Sequence, residues 1–160
     1  MAEQKTNVMR LLTQKKIEYT PHEYIHGNEA VDGVTVAALI GVPEEKVFKT
    51  LVTRGASKSI YVFVIPVASE LDLKKAAKSV GEKSIAMIHV SELLGLTGYV
   101  RGGCSPLGMK KQYTTVFHRS AEELDTIVVS AGKIGFQVEL DPEELIKLTR
   151  GKIADVITED

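Results

Sequence analysis

The chain has 160 residues, a formal net charge of −1 at pH 7, 6% aromatic residues, no tryptophan and one cysteine. This length suits a single domain over residues 1–160, which can bury a core without a disulfide or metal staple. The charge and the few aromatic residues exclude a protein that wraps long nucleic acid, because such proteins neutralise many phosphates and stack many bases. Contact with a short nucleic-acid end is the kind of binding that these properties still allow.

The first half of the chain predicts two short helices and a β-hairpin. A helical apolar period near the N-terminus predicts the first helix, and an extended segment over 17–24 precedes a second helix over 34–41. Two β-rich runs, 47–53 and 60–67, are separated by a polar segment that contains glycine. Runs of this kind with such a separation predict a hairpin.

The second half predicts a helix capped by Asp72, four more strands and several short helical segments. The Asp72 helix has an apolar stripe and ends at Gly81. The other predicted strands cover 84–88, 115–117, 126–130 and 135–140, a helical turn covers 91–94, and capping patterns at 120–123 and 141–144 begin two helices. About six to seven strands in this mixed order favour an α+β (mixed α/β) fold with a curved, mixed sheet.

The most informative loop is Gly102-Gly103-Cys104-Ser105-Pro106-Leu107-Gly108. Glycine lets backbone approach a ligand closely, and free amide groups can point at an anionic or carbonyl oxygen. The alternative is a purely structural tight turn between strands. Cys104 is a candidate nucleophile only if a nearby base raises its thiolate fraction, and no Cys/His signature surrounds it. A small side chain that fills a tight loop is the alternative for this thiol.

Lys49 and Thr50 lie on opposite faces of a predicted strand that is otherwise apolar. A lysine in this position is either partly buried beside a pocket, where it can anchor a phosphate or a polarised carbonyl, or it extends to solvent from an edge strand. Ser130 ends a later strand, where it either faces a cavity or serves as a turn residue.

The sequence predicts no metal and no cofactor. His22 and His26 are four residues apart in an extended stretch, where this spacing does not bring their rings together. There is no paired-carboxylate or phosphate-loop motif, and Arg101-Gly102-Gly103 lacks the spacing of a dinucleotide fingerprint.

Six segments together resemble the YbaK/EbsC family of aminoacyl-tRNA deacylases, which is related to the editing domain of bacterial prolyl-tRNA synthetases. The resemblance covers essentially the whole chain, and the segments keep their order and spacing. They are Val47-Phe48-Lys49-Thr50-Leu51, Pro66-Val67-Ala68, Leu71-Asp72-Leu73-Lys74-Lys75, Thr97-Gly98-Tyr99, the loop from Gly102 to Gly108, and Ser130-Ala131-Gly132-Lys133.

The resemblance implies a strongly bent mixed sheet, partly barrel-like, with flanking short helices. It also implies hydrolysis of mischarged aminoacyl-tRNA, above all Cys-tRNA(Pro), by attack of the substrate's own thiol on the ester. The site residues that it implies are Lys49, Gly102 and Gly103 as catalytic groups, with Tyr24, Thr50, Ser130, Gly132 and Gln137 around the substrate. Two positions depart from the family: Gln137 replaces a common aspartate, and Cys104 replaces a commonly aliphatic residue.

The expected partner is the acceptor end of an aminoacyl-tRNA, in the cytoplasm, with prolyl-tRNA synthetase as a further partner and no membrane or DNA. The N-terminus lacks a signal-peptide core, and the longest apolar run is too short to span a bilayer. Two alternatives stay open: a module that binds charged tRNA or a synthetase without catalysis, and a hydrolase for another small aminoacyl or acyl ester such as alanyl. The candidate tRNA-binding residues are Lys74, Lys75, Lys78, Lys110 and Lys111.

Overall fold

The computed structural model describes residues 5–25, 27 and 31–159. Within these residues it contains five α-helices, eight strands and two short 3₁₀ helices. The helices are α1 (Asn7–Gln14), α2 (Gly33–Ile40), α3 (Leu73–Ser79), α4 (Val90–Thr97) and α5 (Pro142–Thr149). The strands are β1 (Thr20–Glu23), β2 (Phe48–Gly55), β3 (Ile60–Pro66), β4 (Ile85–Met87), β5 (Thr114–His118), β6 (Ile127–Ser130), β7 (Phe136–Leu140) and β8 (Lys152–Ala154). The 3₁₀ helices are Glu44–Lys46 and Arg119–Glu123.

The strands form two sheets. The three-stranded sheet has the order β1-β7-β6 and is antiparallel throughout. The five-stranded sheet has the order β4-β2-β3-β5-β8, with antiparallel pairs around β2 and parallel pairs around β5. A parallel bridge between Val47 and Val128 joins the two sheets where β2 begins. The predicted mixed α+β fold is therefore confirmed.

The main apolar core lies between the two sheets and is closed by α1. Phe48 and Val52 of β2 contribute to it, together with Val129 of β6 and Val138 of β7. A second cluster packs Ala76 and Ala77 of α3 against the opposite face of the five-stranded sheet. Because side chains alternate along β2, residues of this one strand serve both faces.

Several predicted element ends are correct for local physical reasons. Asp72 caps α3 by accepting hydrogen bonds from the backbone amides of Lys74 and Lys75, both at 3.0 Å. Gly41 ends α2 in the left-handed conformation that favours glycine. The predicted hairpin forms with Lys49 opposite Ile65 and Thr50 opposite Val64.

Three local predictions need correction. The capping pattern at 120–123 forms a 3₁₀ helix, and Ser120 does not cap it, because the preceding His118 occupies the N-cap position. The helical turn predicted over 91–94 extends to the eight residues of α4. The strand β8 was not predicted, since its three residues add in parallel to β5 and carry no local β pattern. None of the helices among the described residues has the length and apolar character needed to cross a membrane.

Candidate active site

A half-open cavity of about 110 Å³ lies where the start of β2 meets the end of β6, the strand β7 and the first turn of α2. Six predicted site residues line it: Tyr24, Lys49, Thr50, Gly102, Ser130 and Gln137. The lining also includes Val31, Gly33, Val36, Val47, Phe48, Val67 and Cys104. The fold thus brings residues from five separate parts of the sequence around one small space.

The hydroxyl of Thr50 is the unusual polar group of this cavity. Its Oγ1 atom is buried and has no hydrogen-bond partner among the described residues. Buried polar groups in native proteins are nearly always paired, so an unpaired one in a cavity wall needs an explanation. A bound ligand that hydrogen-bonds to this hydroxyl would supply one.

Ser130 and Gln137 face each other across the β6–β7 pair. Gln137 is only 5% exposed, and its side-chain amide has no hydrogen bond within the described part of the chain. The Ser130 hydroxyl accepts a hydrogen bond from the Gly132 amide at 3.2 Å. An amide that can both donate and accept therefore faces the cavity beside an oriented hydroxyl.

Two further residues enter the cavity from the strands β1 and β2. The backbone amide of Tyr24 donates to the Gly135 carbonyl at 2.9 Å, which holds the buried tyrosine next to β7. Burial lowers the pKa of Lys49 from the ordinary lysine value, and the charge of Glu70 partly opposes this effect. Lys49 is thus a half-buried amine beside the cavity, which can bind an anionic or carbonyl oxygen in its charged form.

The two glycines of the loop 102–108 have different roles. Gly102 lines the cavity with φ at +87°, and its amide has no acceptor among the residues described. The Gly103 amide donates to the Val100 carbonyl at 3.0 Å, and Gly103 does not line the cavity. The role of Gly103 as a second oxyanion donor stays a prediction, and its amide is already paired with Val100. A Cβ at this position would lie 3.1 Å from the Ile134 amide nitrogen, so Gly103 permits close packing of two loops.

Gly132 does not line the cavity, and its contact with the substrate stays a prediction. It holds Ser130 through the amide hydrogen bond, and its φ is +94°. A Cβ here would lie 2.5 Å from Oδ1 of Asn7 and 2.9 Å from the ring of Tyr99. Only glycine fits this turn without a backbone shift.

The thiol of Cys104 is buried in the main core at the wall of the cavity. Burial raises its pKa to about 12. Since the thiolate is the nucleophilic form, this cysteine is nearly inert at neutral pH. The interpretation of Cys104 as a packing residue agrees with this environment.

The five candidate tRNA-binding lysines are not equivalent. Lys75 pairs with Asp155 at 3.2 Å and donates to the Ile157 carbonyl at 2.9 Å, so its ammonium anchors the C-terminal segment. Its role in tRNA binding stays a prediction, and these contacts engage its ammonium within the protein. The other four remain exposed and form no ion pair within the described part of the chain: Lys74, Lys78, Lys110 and Lys111.

The apolar wall that α2 supplies to the cavity was not predicted from the sequence. Gly33 approaches the side chain of Val67 so closely that a Cβ on Gly33 would overlap it. The sequence signal for this helix start was Asp32-Gly33, because Asp32 caps α2 by accepting a hydrogen bond from the Thr35 amide at 2.9 Å.

Among the described residues no three His, Cys, Asp or Glu side chains are grouped to hold a metal ion. His26, one of the two histidines considered from the sequence, lies outside the described residues.

Comparisons with known proteins agree on one family. Residues 28–148 match the profile of the aminoacyl-tRNA editing domain. The chain is 44% identical over 158 residues to the EbsC protein of Enterococcus faecalis (strain ATCC 700802 / V583), which is provisionally named a Cys-tRNA(Pro)/Cys-tRNA(Cys) deacylase. The matched region covers 99% of this chain and 96% of that protein. The fold resembles the crystal structure of a protein provisionally described as a trans-editing enzyme for prolyl tRNA synthetase. The TM-score is 0.81 at 20% identity, and the match covers 98% of this chain and 100% of that one. It also resembles the hypothetical protein APE2540, with a TM-score of 0.83, 24% identity and coverage of 94% and 99%.

Proposed function

The chain belongs to the aminoacyl-tRNA editing domain family, and from this membership we propose that it is a trans-editing deacylase that releases cysteine from Cys-tRNA(Pro). The family and the provisional name of the EbsC relative support the deacylase activity. The preference for cysteine and the mechanism below are our proposals. The observation that carries them is the small cavity lined by the Thr50 hydroxyl, the Gln137 side-chain amide and the Gly102 backbone N–H, none of which has a hydrogen-bond partner among the described residues.

The size of the cavity favours a small aminoacyl group. Its volume is about 110 Å³, which is smaller than the roughly 150 Å³ of an engineered cavity that binds benzene. Cysteinyl, alanyl and seryl groups suit this space, whereas aromatic and long side chains do not. The apolar wall formed by Val36 and Val67 favours a thiol or a methyl group over a hydroxyl, because burying an unpaired hydroxyl costs free energy.

The proposed reaction uses the nucleophile that the substrate brings. The cysteinyl sulfur attacks the ester carbonyl carbon, a carbon–sulfur bond forms, and the bond from that carbon to the ribose oxygen breaks. The thiol proton passes to the ribose oxygen, so the products are free tRNA and a cyclic thioester, which water then opens to cysteine. The buried Cys104 thiol with its raised pKa and the absence of histidine from the described cavity lining both favour this scheme over a protein nucleophile.

The roles of the side chains follow from their unpaired groups. The Gly102 amide donates to the oxyanion that develops on the ester carbonyl, and one such donor is worth about 3–4 kcal/mol in comparable sites. Gln137 and Thr50 hold the substrate's amino group and fold its side chain toward the carbonyl. Lys49 binds the terminal nucleotide through its charge and positions the ester.

The test is a deacylation assay with purified tRNA(Pro) charged with cysteine, alanine, serine or proline. Cys-tRNA(Pro) should be hydrolysed fastest, seryl more slowly because a hydroxyl is a poorer nucleophile, and prolyl not at all. The rate with Cys-tRNA(Pro) should rise with pH toward the thiol pKa of about 8.5, because the thiolate is the attacking form. Equal rates for cysteinyl and alanyl would reject the thiol mechanism, and hydrolysis at the buffer rate for every ester would reject the enzyme.

Binding of the tRNA is proposed to use Lys110 and Lys111, which follow the glycine loop, with Lys74 and Lys78 on α3. Replacing Lys110 by glutamine should weaken tRNA binding and reduce its salt dependence by about one unit of slope, because one phosphate contact is lost. The matched control is Lys58→Gln, an exposed lysine in the turn between β2 and β3. Equal effects of the two substitutions would remove Lys110 from the binding surface.

Association with prolyl-tRNA synthetase is a further proposal, which sedimentation of the two purified proteins tests.

A further inference from the structure

A second cleft, of about 370 Å³, lies on the other side of the segment that connects β3 to α3. Val67 of this segment faces the candidate active site, while its neighbours Pro66 and Ala68 face the second cleft. The two spaces have no lining residue in common. A function of the second cleft is therefore separate from the proposed deacylation.

His118 gives this cleft a directed hydrogen-bond donor. The residue is only 5% exposed, and its Nδ1 accepts a hydrogen bond from the Val156 amide at 3.3 Å. Nδ1 must then be unprotonated, so Nε2 carries the hydrogen of the neutral ring. Nε2 has no acceptor among the described residues, although His118 lines the cleft. A ligand that fits this donor presents an oxygen acceptor such as a peptide carbonyl.

Ser120 adds a second unsatisfied group to the same wall. Its Oγ atom is buried and has no hydrogen-bond partner among the described residues. It stands two residues after His118, at the 3₁₀ helix that it does not cap. The buried, unpaired hydroxyl of Ser120 beside the Nε2 donor of His118 points to a ligand that pairs both, since an unpaired buried hydroxyl costs free energy.

The charge of the cleft is negative. Glu44, Glu45 and Glu123 line it, and none of them forms an ion pair in the described part of the chain. The adjacent cations are engaged elsewhere, because Lys46 pairs with Asp125 and Glu139, and Arg119 lies 3.9 Å from Asp155. Phosphate and nucleic acid are disfavoured here, and the described residues form no group that could hold a metal ion. An organic cation remains.

We propose that this cleft binds an arginine side chain presented by a peptide segment of a protein partner. The guanidinium donates to the carboxylates at the rim and to the Ser120 hydroxyl, and the peptide carbonyl accepts from Nε2 of His118. The methylene groups pack on Leu124 and Ile157, as the stems of long cationic side chains do on apolar surface. Arginine fits better than lysine, because its planar fork matches carboxylates and it is more weakly hydrated.

The test is an NMR titration of the ¹⁵N-labelled full chain with N-acetyl-arginine amide. The expected result is a saturable shift of the amide signals around Ser69, Ser120 and Glu123, with no shift at Ser130 in the active-site cavity. N-acetyl-citrulline amide has the same shape without the charge, and should bind at least several-fold more weakly. Butylguanidine, which has the guanidinium as its single charge but no carbonyl, should also bind more weakly. Equal binding of either control compound, or absence of saturation, overturns the proposal.

Variants of the rim and the wall separate this site from a general attraction to an acidic surface. Glu123→Gln should weaken binding of N-acetyl-arginine amide about two- to fivefold, as expected for one exposed ion pair. Glu122→Gln removes an exposed carboxylate of the same 3₁₀ helix that does not line the cleft, and should leave the affinity unchanged. Ser120→Ala should weaken binding, because the ligand loses the acceptor that the Ser120 hydroxyl provides. The same substitution should not destabilise the free protein, because this hydroxyl has no partner among the described residues. If Glu122→Gln weakens binding as much as Glu123→Gln, or if Ser120→Ala leaves it unchanged, the assigned site is wrong.

Discussion

Replacing Thr50 by valine should make the protein more stable and less active. The hydroxyl oxygen of Thr50 is buried without a partner among the described residues, and valine replaces it by a methyl group of similar shape. An unsatisfied buried polar group costs about 1–3 kcal/mol, so its removal should raise the free energy of unfolding by about 1 kcal/mol or more. For a domain of this size, that gain corresponds to a rise in Tm of about 2–4 °C per kcal/mol.

The activity of the same variant should change in the opposite direction. If the substrate supplies the missing partner, Thr50→Val loses one neutral hydrogen bond, worth about 0.5–1.5 kcal/mol, in the complex. The kcat/KM for Cys-tRNA(Pro) should then fall about two- to tenfold, because 1.4 kcal/mol corresponds to a factor of ten. Thermal unfolding and single-substrate deacylation kinetics measure the two effects on one protein preparation.

Thr53→Val on the same strand is the matched control. Thr53 is fully buried, and its hydroxyl donates to the Tyr61 carbonyl at 3.0 Å, so its loss should lower stability by about 1 kcal/mol. Thr53 does not line the cavity, and its substitution should leave kcat/KM unchanged. A fall in Tm for Thr50→Val as large as for Thr53→Val would refute the unpaired hydroxyl. An unchanged kcat/KM for Thr50→Val would refute its contact with the substrate.

Substitutions at Gly102, Lys49 and Cys104 test the remaining groups. Gly102→Ala should lower the free energy of unfolding by about 1–2 kcal/mol, because the φ of Gly102, +87°, is left-handed. It should also reduce kcat by moving the proposed oxyanion donor. The control Gly41→Ala, at a φ of +71° with open space around a Cβ, should lower Tm without loss of activity. Burial lowers the pKa of Lys49, so its amine loses its charge at a lower pH than an ordinary lysine does. Lys49→Arg should therefore retain activity to a higher pH than wild type, whereas Lys49→Met, which has no charge, should be impaired at every pH. Cys104→Ala should keep the wild-type deacylation rate while lowering Tm, and a large loss of rate would reinstate a protein thiol nucleophile.

Part of the site that lies on regular strands could be predicted from sequence. Ser130 and Gln137 stand opposite each other because the short loop between β6 and β7 fixes their register. The alternation rule places Lys49 and Thr50 on opposite faces of β2. Both nevertheless line the cavity at the beginning of that strand, which alternation alone does not predict.

The missed features depend on contacts between distant segments. The strand β8 exists only because it adds to β5, and its sequence carries no β signal of its own. The wall of the cavity requires Gly33 to approach Val67, which no spacing along the chain reveals. The amide of Gly103 looked free in sequence because the carbonyl that accepts from it, at Val100, belongs to a turn that only the folded loop shows.

The position of the proposed oxyanion donor depends on residues that do not touch the cavity. Nδ2 of Asn7 donates to the Tyr99 hydroxyl at 2.8 Å, and that hydroxyl in turn donates to the Leu107 carbonyl in the glycine loop. This contact is possible because Gly108 and Gly132 have no Cβ, which would lie within 3.0 Å of Asn7 or Tyr99. A mechanism that takes its nucleophile from the substrate needs little chemistry from the protein but exact placement of a backbone amide. In the proposed mechanism, glycines outside the cavity therefore contribute by letting α1 hold the loop, so the resemblance in glycine positions reports loop geometry as much as proposed contact with the substrate.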